Sequence, residues 1–251
     1  MKKIFLYVLA GSLCFSACKK DDEVETYKEP EDINLQNTYD NEAIQKFMEN
    51  NYLDAKGNIK PFSSTDSADD NETKLKDLNP QTTPSGAIYI IRATGQPNPG
   101  TAIGDTDVMR IMMRAKAYLA GNTDGNTSFL TSSNFSGFSP LDETGNPVSD
   151  PIFYYVKNST LGKATTDAAK QRSYYEMEGF QEAIRKFKAF DQADSENYNL
   201  QGVIIVPSKA AYARDEHFNF GTQYSSPFRN TTFIFNLQVY KSTPRNMATQ
   251  D

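Results

Sequence analysis

Two hydrophobic rhythms occupy residues 179–240. Over 179–187 (GFQEAIRKF), Phe180, Ala183, Ile184 and Phe187 recur at i, i+3, i+4 and i+7, one face of a short helix. An apolar run follows at 202–212 (GVIIVPSKAAY). From 232 to 240 (TFIFNLQVY) the period becomes two. Phe233, Phe235, Leu237 and Val239 point one way; Thr232, Ile234, Asn236, Gln238 and Tyr240 point the other. A single helix in the concave face of a twisted antiparallel sheet would bury both apolar surfaces at once. The expected class is α+β.

Upstream, 87–92 predicts a short apolar strand, and the turn Gly104-Asp105-Thr106 leads into a long strand at 108–119. Asp40 is the expected N-cap of a packing helix over 41–51, with Ile44, Phe47 and Met48 on one stripe. Residues 24–39 are polar, acidic and aperiodic, which suits a tether. The stretch 60–85, with Pro61, Pro80 and Pro84, reads as a linker. Residues 121–150, rich in Gly, Asn, Ser and Thr, and residues 213–229 read as long loops.

The amino terminus has its own logic. Met1-Lys2-Lys3 precedes an apolar run at 4–13 and the small-residue end Phe15-Ser16-Ala17-Cys18. A bilayer span needs about 20 apolar residues, so this is a signal peptide rather than an anchor helix. Its end resembles a bacterial lipobox, which implies cleavage before Cys18 and attachment to the membrane through lipid on that residue; an ordinary secretory signal is the alternative. Each buried methylene would contribute about 0.8 kcal/mol to anchoring. Lys19-Lys20-Asp21-Asp22-Glu23 is either a solvated tether start or, by resemblance, a surface-export signal of outer-membrane lipoproteins. The expected location is the outer membrane, with the leaflet open. The expected organisation is signal peptide 1–17, tether 18–40, helix and linker 41–85, globular domain 86–241 and tail 242–251.

Composition narrows the chemistry. With 26 basic against 32 acidic residues and a net charge of −6, the chain lacks the excess of positive charge a nucleic-acid partner would want. Cys14 and Cys18 are the only cysteines, so the body of the chain has no disulfide framework and no cysteine metal site. The single histidine, His217, excludes a multi-histidine centre, and its polar loop has no nucleophile elbow. No metal and no cofactor are expected. Without tryptophan, a glycan-capturing surface lacks its usual platform.

Three stretches then resemble one family. Gly179-Phe180-Gln181-Glu182, Pro207-Ser208-Lys209-Ala210-Ala211-Tyr212 and Asn230-Thr231-Thr232-Phe233-Ile234-Phe235 stand in the order of the carboxy-terminal landmarks of FKBP-type peptidyl-prolyl isomerases. The resemblance spans 86 to about 241 and weakens toward its start. Phe129-Leu130-Thr131-Ser132 is similar to the family's Phe-Asp-Ser-Ser, and 151–156 (PIFYYV) to its next strand. It implies an FKBP-like sheet wrapped around one short helix, with an N-terminal helical lead-in and long insertions. It also implies a proline pocket with Phe180 as floor and Phe235 and Phe129 as walls. The Tyr212 hydroxyl and Met177 N–H would be donors to substrate carbonyls, beside Phe153 or Ile152. Ile111 (or Met113) falls where the family has a pocket tyrosine, and Leu130 where it has an acid. The implied partners are X–Pro segments of exported proteins. An alternative is a catalytically silent subunit whose loops at 121–150 and 213–229 dock on an outer-membrane complex.

Overall fold

A computed structural model describes residues 27–135 and 147–251; Cys18, the signal peptide and the Lys19–Glu23 motif lie outside the described residues. In chain order the elements are α1 (Ile33–Glu49), β1 (Asn51–Leu53), β2 (Ile59–Pro61), β3 (Gln81–Thr82), β4 (Ile88–Ile91), β5 (Thr101–Ala102), β6 (Val108–Thr123), β7 (Asn126–Asn134), β8 (Val148–Ser149), α2 (Asn158–Leu161), α3 (Glu178–Ile184), β9 (Lys188–Ala189), β10 (Gly202–Val206) and β11 (Thr231–Thr243). The main sheet runs β3-β4-β10-β11-β6-β7, with β8 on β6. All its described pairings are antiparallel. This is an α+β architecture built on one long β6–β11 ladder.

The period-two reading of β11 holds, and both of its faces are covered. Phe233, Phe235, Leu237 and Val239 join Ile111, Met113 and Ala115 of β6 and Phe180, Ala183 and Ile184 of α3 in one core. On the other face Ile234, Ile90, Val203 and Ile205 pack against Ile44 and Met48 of α1. The sheet is therefore not wrapped around one helix: α3 serves one face and the longer α1 the other. That is why β10 is buried at every position. Polar residues on the second face survive burial by hydrogen bonding. Asn236 accepts from Ile59 N–H (3.1 Å) and donates to the Gly57 and Gly202 carbonyls (2.9 and 3.1 Å).

Several expected boundaries change. Asp32, not Asp40, caps α1, accepting from Asn34 N–H at 2.8 Å. Asp40 lies buried within the helix, where its carboxylate accepts from Ser208 N–H (3.0 Å) and Gln36 (3.0 Å). Burial raises its pKa against the pull of those bonds. Residues 27–40 are therefore not all tether. Glu29 pairs with Arg229 (2.6 Å) and Arg214 (3.7 Å), and the Tyr27 hydroxyl accepts from Asn230 (3.1 Å). The 60–85 linker contributes β2 and β3, because Gln81 and Thr82 extend the main sheet on β4. Nine residues of the expected 121–150 loop form β7, and 151–156 is a turn rather than a strand. The 242–251 tail is held too. The buried Arg245 side chain pairs with Asp150, and Asp251 accepts from the Tyr155 hydroxyl (2.8 Å) and Asn158 N–H (3.0 Å).

Candidate functional site

The first turn of α3 places Phe180 against β11, at 4.7 Å ring-to-ring from Phe235. Phe153, on the turn after β8, meets Phe180 edge-on at 5.0 Å and stacks on Phe235 at 5.4 Å. Tyr212 joins through Phe233, 6.0 Å away and perpendicular. Offset and edge-to-face pairs of this kind contribute about 0.5–1.5 kcal/mol each beyond their buried area. Phe180, Phe235, Phe153, Met177, Ile111 and Tyr212 thus share one core, and none exposes more than 2% of its surface.

Phe129 and Leu130 are not part of it. β6 and β7 pair Ala120 with Phe129, and a bulge between Leu119 and Ala120 then resets the alternation. Phe129 consequently sits on the α1 face, 4.7 Å from Tyr118 and 6.1 Å from Phe47. Leu130 is half-buried over Gly121. Ile152 is half-buried at the margin of the core, on a surface cleft with Tyr155 and Arg245. The ring that packs beside Phe153 and Phe235 in this core is Phe135. Beyond the bulge Phe135 donates its N–H to Ala115 O (3.0 Å) and points into the core, 5.5 Å from Phe153 and 6.4 Å from Phe235. Its position in an Asn/Ser-rich stretch hid it from a hydrophobic-pattern reading.

The two donors expected to face a ligand are spent internally. The Tyr212 hydroxyl donates to Tyr175 O at 2.7 Å, and burial pushes its pKa well up. Met177 N–H donates to Phe153 O at 2.8 Å. The 213–230 segment closes the remaining side. Phe220 lies 5.0 Å from Phe135 and 5.8 Å from Tyr212, and Phe228 lies 5.2 Å from Phe135.

His217 holds that segment in shape. Its ring stacks on Tyr212 at 4.5 Å and is 1% exposed. Nε2 accepts from Phe228 N–H at 3.0 Å, which assigns the proton to Nδ1, donating to Asp215 O at 2.9 Å. Burial lowers its pKa against the opposing pull of Asp215. The unfolded chain, with histidine near 6.5, then binds the proton more readily than the fold does. Stability is full above about pH 6.5 and falls as pH drops toward the folded pKa, with a limiting slope of about 1.4 kcal/mol per pH unit. Thermal unfolding of wild type and His217→Gln between pH 7.5 and 5.5 checks this. The variant is expected to lose this share of the dependence, and parallel profiles would refute it.

Among the described residues no cluster of His, Cys, Asp and Glu could hold a metal ion, and no helix is long and apolar enough to cross a membrane. No protein-family model and no curated protein matches the chain. Among solved structures, FkpA from Escherichia coli is similar at 17% identity and a TM-score of 0.33, over 67% of this chain and 54% of that one. This chain thus spans about half the length of FkpA. A peptidyl-prolyl cis-trans isomerase from Pseudomonas syringae pv. tomato is similar at 10% identity and a TM-score of 0.38, over 87% of this chain and 100% of that one.

Proposed function

We propose that this chain carries an FKBP-like domain of the prolyl-isomerase type. It would be held at the outer membrane by lipid on Cys18 and act on X–Pro segments of exported proteins. The observation that carries the reading is the convergence of Phe180, Phe153, Phe235 and Phe135 between α3 and the sheet, beside Tyr212. Turning an X–Pro bond must lower a barrier of about 18–20 kcal/mol set by amide resonance. A dry aromatic cleft disfavours the charge-separated amide, and one or two donors hold the substrate carbonyls, so neither nucleophile nor metal is required. Access to such a cleft requires Phe220 and Phe228 to move aside and Tyr212 to exchange Tyr175 O for a substrate carbonyl.

That requirement favours a second reading, a docking subunit without turnover, because both donors are already committed. Cis/trans exchange on a short X–Pro peptide separates the two. For an isomerase, wild type accelerates exchange and Phe220→Ala raises the rate by opening the cluster. Tyr212→Phe lowers it roughly two- to tenfold, the worth of one neutral hydrogen bond. Rates equal to buffer from folded wild type and folded Phe220→Ala would leave the docking subunit.

A further inference from the structure

The α1 side of the sheet carries a separate feature. Arg114, Lys116 and Tyr118 stand at i, i+2 and i+4 on one face of β6, so their side chains emerge in a row roughly 6.5–7 Å apart. They line a cleft of about 210 Å³ closed by Phe47 of α1, Ile59 of β2 and Ile234 of β11. Phe47 meets Tyr118 edge-on at 5.7 Å, which gives the cleft an aromatic wall beside its cations.

The row is unsatisfied. The chain has eight arginines. Arg92, Arg110, Arg172, Arg185, Arg214, Arg229 and Arg245 each donate to a carbonyl, amide or carboxylate oxygen. Of the eight, the Arg114 side chain alone has no hydrogen bond or ion pair among the described residues, although it is half-buried. Lys116 and the Tyr118 hydroxyl, also half-buried, likewise have none. The cross-strand neighbours supply no acceptor. Ile234 faces Lys116, and Asn236, which faces Arg114, is occupied by Ile59, Gly57 and Gly202. Among the described residues no Asp or Glu lines the cleft, in a chain whose net charge is −6. Two like charges side by side in a partly desolvated cleft are costly unless an anion joins them. A planar guanidinium, an ammonium and a phenol together fit an oxyanion, and Phe47, Ile59 and Ile234 fit an apolar body attached to it.

We infer that this cleft binds a small organic anion, a carboxylate or phosphate carried on a flat apolar group. Its volume, below the roughly 300–1,000 Å³ of pockets for drug-sized ligands, limits that body to about one ring. The site lies across the sheet from the aromatic core and depends on none of its residues.

The test is a titration of the full chain with benzoate, phenyl phosphate and neutral benzyl alcohol, followed by backbone amide resonances. Saturable shifts are expected over residues 114–118 with at least one of the two anions, weakened by added salt. The tighter anion identifies the head group. Arg114→Gln and Lys116→Gln are each expected to weaken binding about ten- to a hundredfold, the worth of a charge-assisted hydrogen bond, with unchanged thermal midpoints. The inference is overturned if neither anion saturates, if benzyl alcohol binds as tightly, or if both folded variants bind like wild type.

Discussion

Replacing Phe135 with alanine is expected to destabilise the domain by about 3–5 kcal/mol, the usual cost of emptying a large aromatic site in a packed core. The ring is fully buried. It lies within 5.0–5.5 Å of Phe220, Phe233, Phe228 and Phe153, which come from three different parts of the chain. Removing it leaves a void between the 213–230 segment, the 151–156 turn and β11, and each of these is fixed by other bonds that resist collapse into the gap. Phe129→Ala is the matched control. That side chain is half-buried on the α1 face and should cost clearly less. Urea unfolding of the two variants reads the difference. Equal losses would mean that the two phenylalanines are not separated by the bulge as described.

Gly202→Ala is expected to be at least as damaging, by a different mechanism. Gly202 opens β10, opposite Ile91 on one side and Leu237 on the other. A Cβ there would lie 1.9 Å from the Ile90 carbonyl oxygen and 3.1 Å from the Phe187 ring. Overpacking a core usually costs about 1–3 kcal/mol because side chains shift to absorb it. Here the obstruction is backbone inside a ladder, which cannot step aside without giving up sheet hydrogen bonds. The same move would displace Gln201, which donates to Lys188 O (2.7 Å) and accepts from Val239 N–H (2.6 Å). A cost above 3 kcal/mol, with faster amide exchange in β4 and β10, is the expected result. A loss below 1 kcal/mol would show that β4 is not held against β10 at this point.

The site was legible in the sequence wherever spacing alone decides orientation. Phe180, Ala183 and Ile184 on a helix and Phe233, Phe235, Leu237 and Val239 on a strand are placed by local periodicity, and they meet as that periodicity requires. Phe129 failed for a reason no residue spacing carries. A bulge on β6–β7 inverts the alternation, so two phenylalanines six residues apart face opposite sides of the sheet. Tyr212 was legible as a polar-tipped aromatic, but its acceptor, Tyr175 O, is 37 residues away in the chain.

The sequence by itself determined the α+β class, the helix at α3, the strands at β4, β6, β10 and β11, and which residues of β11 share a face. Those properties follow from periods of two and 3.6 and from turn residues, all short-range. Only the tertiary structure decided that α1 covers the second face, that residues 60–85 and 242–251 are bound into the domain, and that Phe135, not Phe129, joins the aromatic core. It alone decided that His217 ties down the 213–230 segment over the aromatic core, and that no described acidic side chain reaches Arg114. Each of these depends on partners distant in sequence. A polar, Pro- or Ser-rich stretch has the same composition whether its hydrogen bonds go to water or to the fold.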